Sequence, residues 1–216
     1  METFSTTIRL ETYRLFLALA LEKGWVIRQY DVKYAFIYSP IDVEVFVIQP
    51  IGFEKGHRKV YKLKKALYGL KQSPRLWYEF LARILKAIGF VTLPYDCGAF
   101  IHVTRELVIL CHVDDFLALG KSDAEIEEVL EEVSHKINLQ DLGEVSTFLG
   151  IEFSLQREKP GPKKGPSDSA SSSSDSEKGY SSLKLHQTRY VYHMLKRFGK
   201  EHLIPVSTPA TEGIKL

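Results

Sequence analysis

Two adjacent acids, Asp114 and Asp115, interrupt a largely apolar run from Leu107 to Leu119. Residues 107–113 and 116–119 have the aliphatic, aromatic and β-branched composition of buried strands. The doublet falls where the chain must turn from one strand into the next. Aspartate suits turns because its carboxylate accepts hydrogen bonds from nearby backbone N–H groups, so turn capping alone accounts for it. The chemical alternative is a tight hairpin presenting two carboxylates side by side. Like charges that close repel, and a pair held ionised needs a cation. A hard divalent ion such as Mg²⁺, which takes oxygen ligands, is the natural one. A third carboxylate nearby decides between the two readings.

The elements that must position these acids are legible from spacing. Residues 10–23 are rich in helix formers and stop at Gly24. Residues 25–32 read as a strand ending near Asp31. Residues 44–48 and 59–63 read as a short hairpin around Pro50, Gly52 and Gly56. After Pro74, a good first-turn proline, Leu76, Trp77, Phe80, Leu81, Ile84, Leu85 and Ile88 line one helical face that ends at Gly89. Residues 99–103 predict a strand, followed by the acidic hairpin. Ser122-Asp123-Ala124-Glu125 fits a capping box, with Ile126, Val129, Leu130, Val133 and Ile137 then recurring at helical spacing. Residues 145–153 read as a further strand, and 187–198 as a last helix with Val191, Met194, Leu195 and Phe198 on one side. Residues 157–179 are Ser, Pro, Gly, Lys and Asp with almost nothing apolar, a disordered insertion.

The order strand, helix, strand-turn-strand, helix, strand is that of a split βαβ, ferredoxin-like α+β fold with its helices on one face of the sheet. A helix crossing back between strand one and the hairpin makes strand one parallel to the hairpin's first strand. The end of strand one then lies at the same edge as the hairpin turn. Asp31 would sit beside Asp114 and Asp115 as the third carboxylate. Three converging carboxylates suit two metal ions ~3.5–4 Å apart acting on an in-line displacement at phosphorus. Without that convergence, Asp31 caps a strand and the doublet caps a turn.

Bulk properties exclude other classes. The 216 residues are 44% hydrophobic and 26% charged, ordinary globular values that allow a real core. The net charge of +2 conceals an asymmetry: no acid lies between Glu54 and Glu79, while Lys55, Arg58, Lys59, Lys62, Lys64, Lys65, Lys71 and Arg75 supply eight cations. Interleaved with Tyr61, Tyr68 and Trp77, they suit a polyanion backbone, although charge runs are often only solvated faces. Cys97 and Cys111 lack metal-ligand spacing and read as reduced thiols of an intracellular protein. No apolar run reaches the ~18–20 residues that span a bilayer, and no signal peptide is evident.

Gln29-Tyr30-Asp31-Val32-Lys33-Tyr34-Ala35-Phe36, Gln49-Pro50-Ile51-Gly52-Phe53 and the stretch from Lys62 to Tyr78 resemble the reverse transcriptase of copia-type LTR retrotransposons. So do His112-Val113-Asp114-Asp115, Asp141-Leu142-Gly143-Glu144 with Phe148-Leu149-Gly150-Ile151-Glu152, and Pro205-Val206-Ser207-Thr208-Pro209. The six blocks stand in family order across nearly the whole chain. The resemblance implies a right-hand polymerase: partial fingers and palm over 1–156, the insertion over 157–179, and the start of a thumb or connection over 180–216. It implies catalytic Asp31, Asp114 and Asp115 holding Mg²⁺ (or Mn²⁺), with the Val32 carbonyl an extra ligand. Phe36 matches the aromatic gate that excludes a ribose 2′-hydroxyl. Tyr68, Gly69, Gln72 and Ser73 fall where nucleotide and template are contacted. Lys62, Lys64, Lys65, Lys71, Arg75 and His112 are expected along the nucleic acid, and Phe148, Leu149 and Gly150 at the primer grip.

The expected partners are an RNA or DNA template with primer, deoxynucleoside triphosphates, and other polyprotein parts such as integrase and RNase H. The expected location is cytoplasmic, in a virus-like particle, and also nuclear. Three departures stand out: His112 where tyrosine is usual, Tyr34 where threonine is usual, and Ser39-Pro40 in place of a glycine-containing turn. A basic fingers segment expected ahead of residue 1 is absent, as are RNase H, protease and integrase. The chain therefore reads as a piece of a polyprotein, or as the frame of a decayed element that keeps the fold and at most binds nucleic acid. An RNA-recognition module shares the topology, but the apolar strand bearing Val108, Leu110 and His112 lacks that module's exposed aromatics.

Overall fold

Fourteen residues of good helix formers, Leu10–Lys23, make the first helix, α1, and Gly24 ends it in the left-handed conformation (φ 66°). The computed structural model describes residues 7–157 and 180–204. The expected insertion at 157–179, apart from Arg157, and the Pro205–Pro209 block lie outside them. Strand β1 (Val26–Val32) follows, then a 3₁₀ turn at Ala35–Tyr38. The short strands β2 (Phe46–Ile48) and β3 (Val60–Lys62) pair antiparallel as the expected hairpin. Helix α2 (Ser73–Ala87) carries Pro74 in its first turn. Next come β4 (Phe90–Leu93), β5 (Asp96–His102), β6 (Val108–His112) and β7 (Asp115–Gly120). In α3 (Asp123–Ser134) the Ser122 hydroxyl accepts the Glu125 N–H, as the capping box predicts. The chain continues through β8 (Leu139–Glu144), β9 (Thr147–Phe148), β10 (Ile151–Arg157), β11 (Tyr180–His186) and α4 (Thr188–Arg197).

The main sheet runs β4-β5-β6-β7-β1-β8, with every neighbouring pair antiparallel. Because β1 and β6 both pair antiparallel with β7, they are parallel to each other. The inner order β8-β1-β7-β6, with α2 before β6 and α3 before β8, is the split βαβ arrangement. One expected strand is displaced. Residues 145–153 do not form the strand that completes this sheet; β8, six residues upstream, does. Its Gln, Asp and Gly composition conceals it, because an edge strand with one solvated side has no need of apolar residues. The 145–153 segment instead turns at Leu149 (φ 51°) and Gly150 (φ 74°) between β9 and β10. Two consecutive positive φ values across a two-residue loop are the twist-matched hairpin turn.

Alternation along the strands separates two faces. Val26, Tyr30, Val32, Ile109, Cys111, Phe116 and Ala118 join one apolar cluster with Trp77, Leu81, Leu85, Ile126, Val129 and Val133 of α2 and α3. The intervening Ile27, Leu110, Leu117 and Leu119 are equally buried yet outside that cluster. Burial on both faces requires a second cover. Helix α1 likewise buries Tyr13, Phe16, Leu17 and Ala20 without joining the first cluster. The two helices of the split βαβ, α2 and α3, share one apolar cluster with the sheet, in keeping with the ferredoxin-like expectation.

The described residues divide into two compact units, 7–145 with 155–157 and 180–183, and 146–154 with 184–204. In the first, residues 7–9 run along the end of β6. Thr7 bridges His112, the Ile8 N–H donates to the Cys111 carbonyl at 3.1 Å, and the Arg9 N–H donates to buried Asp96 at 2.9 Å. A Cβ on Gly98 would lie 2.5 Å from the Ile8 nitrogen. Gly98→Ala is therefore expected to cost ~1–3 kcal/mol through overpacking, read as a lowered thermal midpoint by calorimetry. An unchanged midpoint would show that residues 7–8 do not press on β5.

Candidate active site

Strand register brings the acids together. Asp31, near the end of β1, is directly opposite Asp115, the first residue of β7. Asp115 also faces His112 across the β6–β7 hairpin, so Val113 and Asp114 form a two-residue turn. The Val32 N–H donates to the Asp114 carbonyl at 2.8 Å, fastening the strand end to that turn. Val113 has φ 61°, a left-handed conformation that a β-branched side chain strongly disfavours. Its carbonyl accepts from the Trp77 indole N–H at 2.6 Å and from the Cys111 thiol at 3.7 Å. Trp77 was legible only as one of an apolar stripe; its indole N–H has no sequence signature that a turn acceptor awaits it.

The electrostatics of the edge are those of excess negative charge. Partial burial, then Asp114, then Asp31 push the Asp115 carboxyl above its ordinary range, with His112 acting weakly the other way. The Lys33 ammonium sits 2.7 Å from the Asp31 carboxylate, and that hydrogen bond raises the lysine's pKa. The Tyr68 hydroxyl reaches Asp114 Oδ2 at 3.4 Å; desolvation first, and Asp114 next, raise its pKa. Burial pushes the Cys111 thiol far up, so it is a packing group and not a nucleophile. His112 is part-buried, and its Nδ1 has no hydrogen-bond partner among the described residues.

Hard oxygen donors and uncompensated negative charge fit a divalent cation in ligand type and in sign. Among the described residues, no three His, Cys, Asp or Glu side chains are already gathered as a ligand group. Lys33, turned onto Asp31, is the cation that faces the acids here. It lies inside a motif noted in the sequence, without an assigned role.

The other expected residues are placed unevenly. Phe36 is 6% exposed, with the Tyr68 ring over it at 4.3 Å between centroids. Gly69 (φ 93°) faces open space, and its conformation favours glycine. Gln72 stands at the start of α2. Ser73 departs from expectation: it is fully buried, and its hydroxyl donates to the Leu67 carbonyl at 2.6 Å. It shapes the 67–70 loop from inside and has no surface to offer a nucleotide. The basic stretch is also less free than its composition implies. Lys62 pairs with Glu44, Arg75 with Asp42 and Glu79, and the Lys65 ammonium donates to the Tyr38 carbonyl. The two neutralising acids upstream, Asp42 and Glu44, lie outside the acid-free window. Lys64 and Lys71 are exposed without an ion pair among the described residues. In the second unit, Phe148 is buried, and Leu149-Gly150 form the turn already described.

A family model described as reverse transcriptase (RNA-dependent DNA polymerase) matches residues 1–159. The chain belongs to the reverse transcriptase family. It is 34% identical over its whole length to the retrovirus-related Pol polyprotein from transposon RE1 of Arabidopsis thaliana. It is 31% identical, again over its whole length, to that from transposon TNT 1-94 of Nicotiana tabacum. A putative transposon Ty5-1 protein of Saccharomyces cerevisiae is 35% identical over 57% of this chain and 41% of its own length. These are copia-type relatives, as the six blocks imply. The chain spans 13% of the RE1 polyprotein and 15% of the TNT 1-94 polyprotein. No helix among the described residues is long and apolar enough to cross a membrane.

The raised Asp115 pKa of this reverse transcriptase domain carries a sign. A carboxyl raised on folding costs no stability below its unfolded pKa; the cost builds as pH rises from that value to the folded one and stays constant above it. Asp115→Asn is therefore expected to raise the thermal midpoint at pH 7 without divalent metal. Solvent screening at this part-buried site keeps the gain to about 1 kcal/mol or less. The difference should vanish as pH falls below the ordinary carboxylate range. A variant less stable than wild type at pH 7 would show that Asp115 is held by attraction instead.

Proposed function

We propose that this domain is an RNA-directed DNA polymerase palm that transfers deoxynucleotides onto a primer 3′-hydroxyl. The observation that carries the reading is the register Asp31 opposite Asp115, with Asp114 in the adjoining turn, in a chain of the reverse transcriptase family. Asp31, Asp114 and Asp115, with the Val32 carbonyl, would hold Mg²⁺ or Mn²⁺. Bound there, the metal supplies activation of the attacking hydroxyl and neutralisation of charge developing at the transferred phosphorus. The residues of the chain do the rest. The fastening of Val32 to the Asp114 carbonyl keeps the acids at fixed separation. Phe36, backed by Tyr68, crowds the sugar's C2′ side and favours deoxynucleotides. Gly69 lets backbone approach the nucleotide closely, and Lys64 and Lys71 lie free to meet phosphates.

The substrates in this reading are a primed RNA or DNA template and deoxynucleoside triphosphates. Partners are the other parts of a Pol polyprotein, integrase and RNase H among them, in a cytoplasmic particle and later the nucleus. In this reading the described residues up to 156 are palm with partial fingers, and 180–204 the start of the thumb or connection. Extension of a primed RNA template in Mg²⁺ is the test. Asp31→Asn and Asp114→Asn are each expected to reduce extension to background, while duplex binding changes little. Activity surviving either change would end the two-metal role. Duplex binding by wild type without extension would identify a relic that keeps the fold.

The free cations make a separate prediction. Lys64→Ala and Lys71→Ala should each weaken duplex binding uniformly across sequences and lower the log–log salt slope by ~1. Lys62→Ala, which removes an already paired charge, should change the slope less. Equal slopes for all three would show that the ion pair with Glu44 opens on binding.

A further inference from the structure

We infer that Trp77 is a positioning residue: its indole N–H holds the Val113–Asp114 turn in its strained shape and so sets where the two adjacent carboxylates stand. This inference rests on reading those carboxylates as the metal site. Val113 is β-branched at φ 61°, where a small or amide side chain would turn the same corner with less conflict. A strained turn persists only when its surroundings over-determine it. Three contacts do so here. The indole N–H donates to the Val113 carbonyl at 2.6 Å, the Cys111 thiol reaches the same oxygen, and the Val32 amide holds the neighbouring Asp114 carbonyl.

Of the three, Trp77 is the one that arrives from outside the sheet, on helix α2. Its ring is 2% exposed within the helix–sheet cluster, so the donor cannot drift. The hydrogen-bonded oxygen belongs to the residue just before Asp114. A rotation of that peptide plane would swing Asp114 and displace Asp115 from its position opposite Asp31. Helix α2 thus reads out onto the acidic edge through a single N–H, and packing alone does not explain why the ring must be an indole.

The test compares Trp77→Phe, Val113→Gly and the double variant by Mn²⁺ binding, followed by electron paramagnetic resonance, and by peptide-level amide exchange. Trp77→Phe should fold, speed exchange across 112–115 and at Val32, and weaken Mn²⁺ affinity by about tenfold, as loss of a supporting hydrogen bond does. Val113→Gly removes the strain, so it should bind like wild type. It should also restore the Trp77→Phe protein to within about twofold of wild type, on the same scale of support. A Trp77→Phe protein that is merely less stable, with affinity and exchange unchanged, overturns the inference, and so does a double variant that Val113→Gly fails to restore. Should Trp77→Phe not fold, benzothienylalanine at 77 in a Trp25→Phe chain deletes only the donor, with the same expectations. If wild type binds no Mn²⁺, or Asp115→Asn leaves binding intact, the metal reading fails. The exchange data still judge the Trp77 tie by themselves.

Discussion

Mutual repulsion of three carboxylates is the constraint around which this domain is arranged. Strand pairing places Asp31 against Asp115, and the turn adds Asp114, whether or not the charges welcome one another. The energy for that comes from apolar burial on both faces of a six-stranded sheet, a far larger quantity than the repulsion at one solvent-facing edge. Partial relief is local: Lys33 lies on Asp31 and the Tyr68 hydroxyl points at Asp114. Asp115 has neither, and it is the carboxyl whose pKa rises. A site that keeps unrelieved charge in the resting protein is stabilised most by a ligand of opposite sign.

Around this edge, main-chain groups carry more of the positioning than side chains do. The carbonyls of Val113 and Asp114 are each held by a donor from another element, one from α2 and one from β1. The tight turn leaves no slack in sequence, since His112 and Asp115 are already paired. Outside the edge, a separate ionic clasp fixes β1 from its other end. Arg28, with 18% of its side chain exposed, meets Asp123 and Glu127 of α3 and Asp141 of β8. Arg28 thereby ties two elements, α3 and β8, to β1, though its charge lies well along β1 from the acids.

Much of this was legible before any coordinates, for identifiable reasons. The helix ends at Gly24 and Ser122 follow from backbone chemistry that reads locally. The meeting of Asp31 with the doublet follows from topology, which the alternation of strands and helices specifies once a crossover is assumed. What escaped depended on partners distant in sequence. Strand β8 is polar because one side is solvated, so its apolar signal is weak. The β4–β5 hairpin was half seen, because Thr92 to Asp96 turns sharply within a short stretch. Ser73 was expected where nucleotide and template are contacted, yet it is buried and its hydroxyl is spent on the Leu67 carbonyl. The eight-cation stretch overstated free charge, because Asp42 and Glu44 fold back onto it from outside the window.

The pairing of Thr7 with His112 has a temporal side. These residues are 105 positions apart, so the early segment leaves the ribosome long before the strand it lies against exists. At ~5–20 residues per second, that delay is roughly 5–20 s, an age beside the microseconds in which α1 can form. During that interval the backbone donors of Ile8 and Arg9 have only water to satisfy them. Chaperone or nascent-chain contacts would find them exposed until the β6–β7 hairpin has emerged.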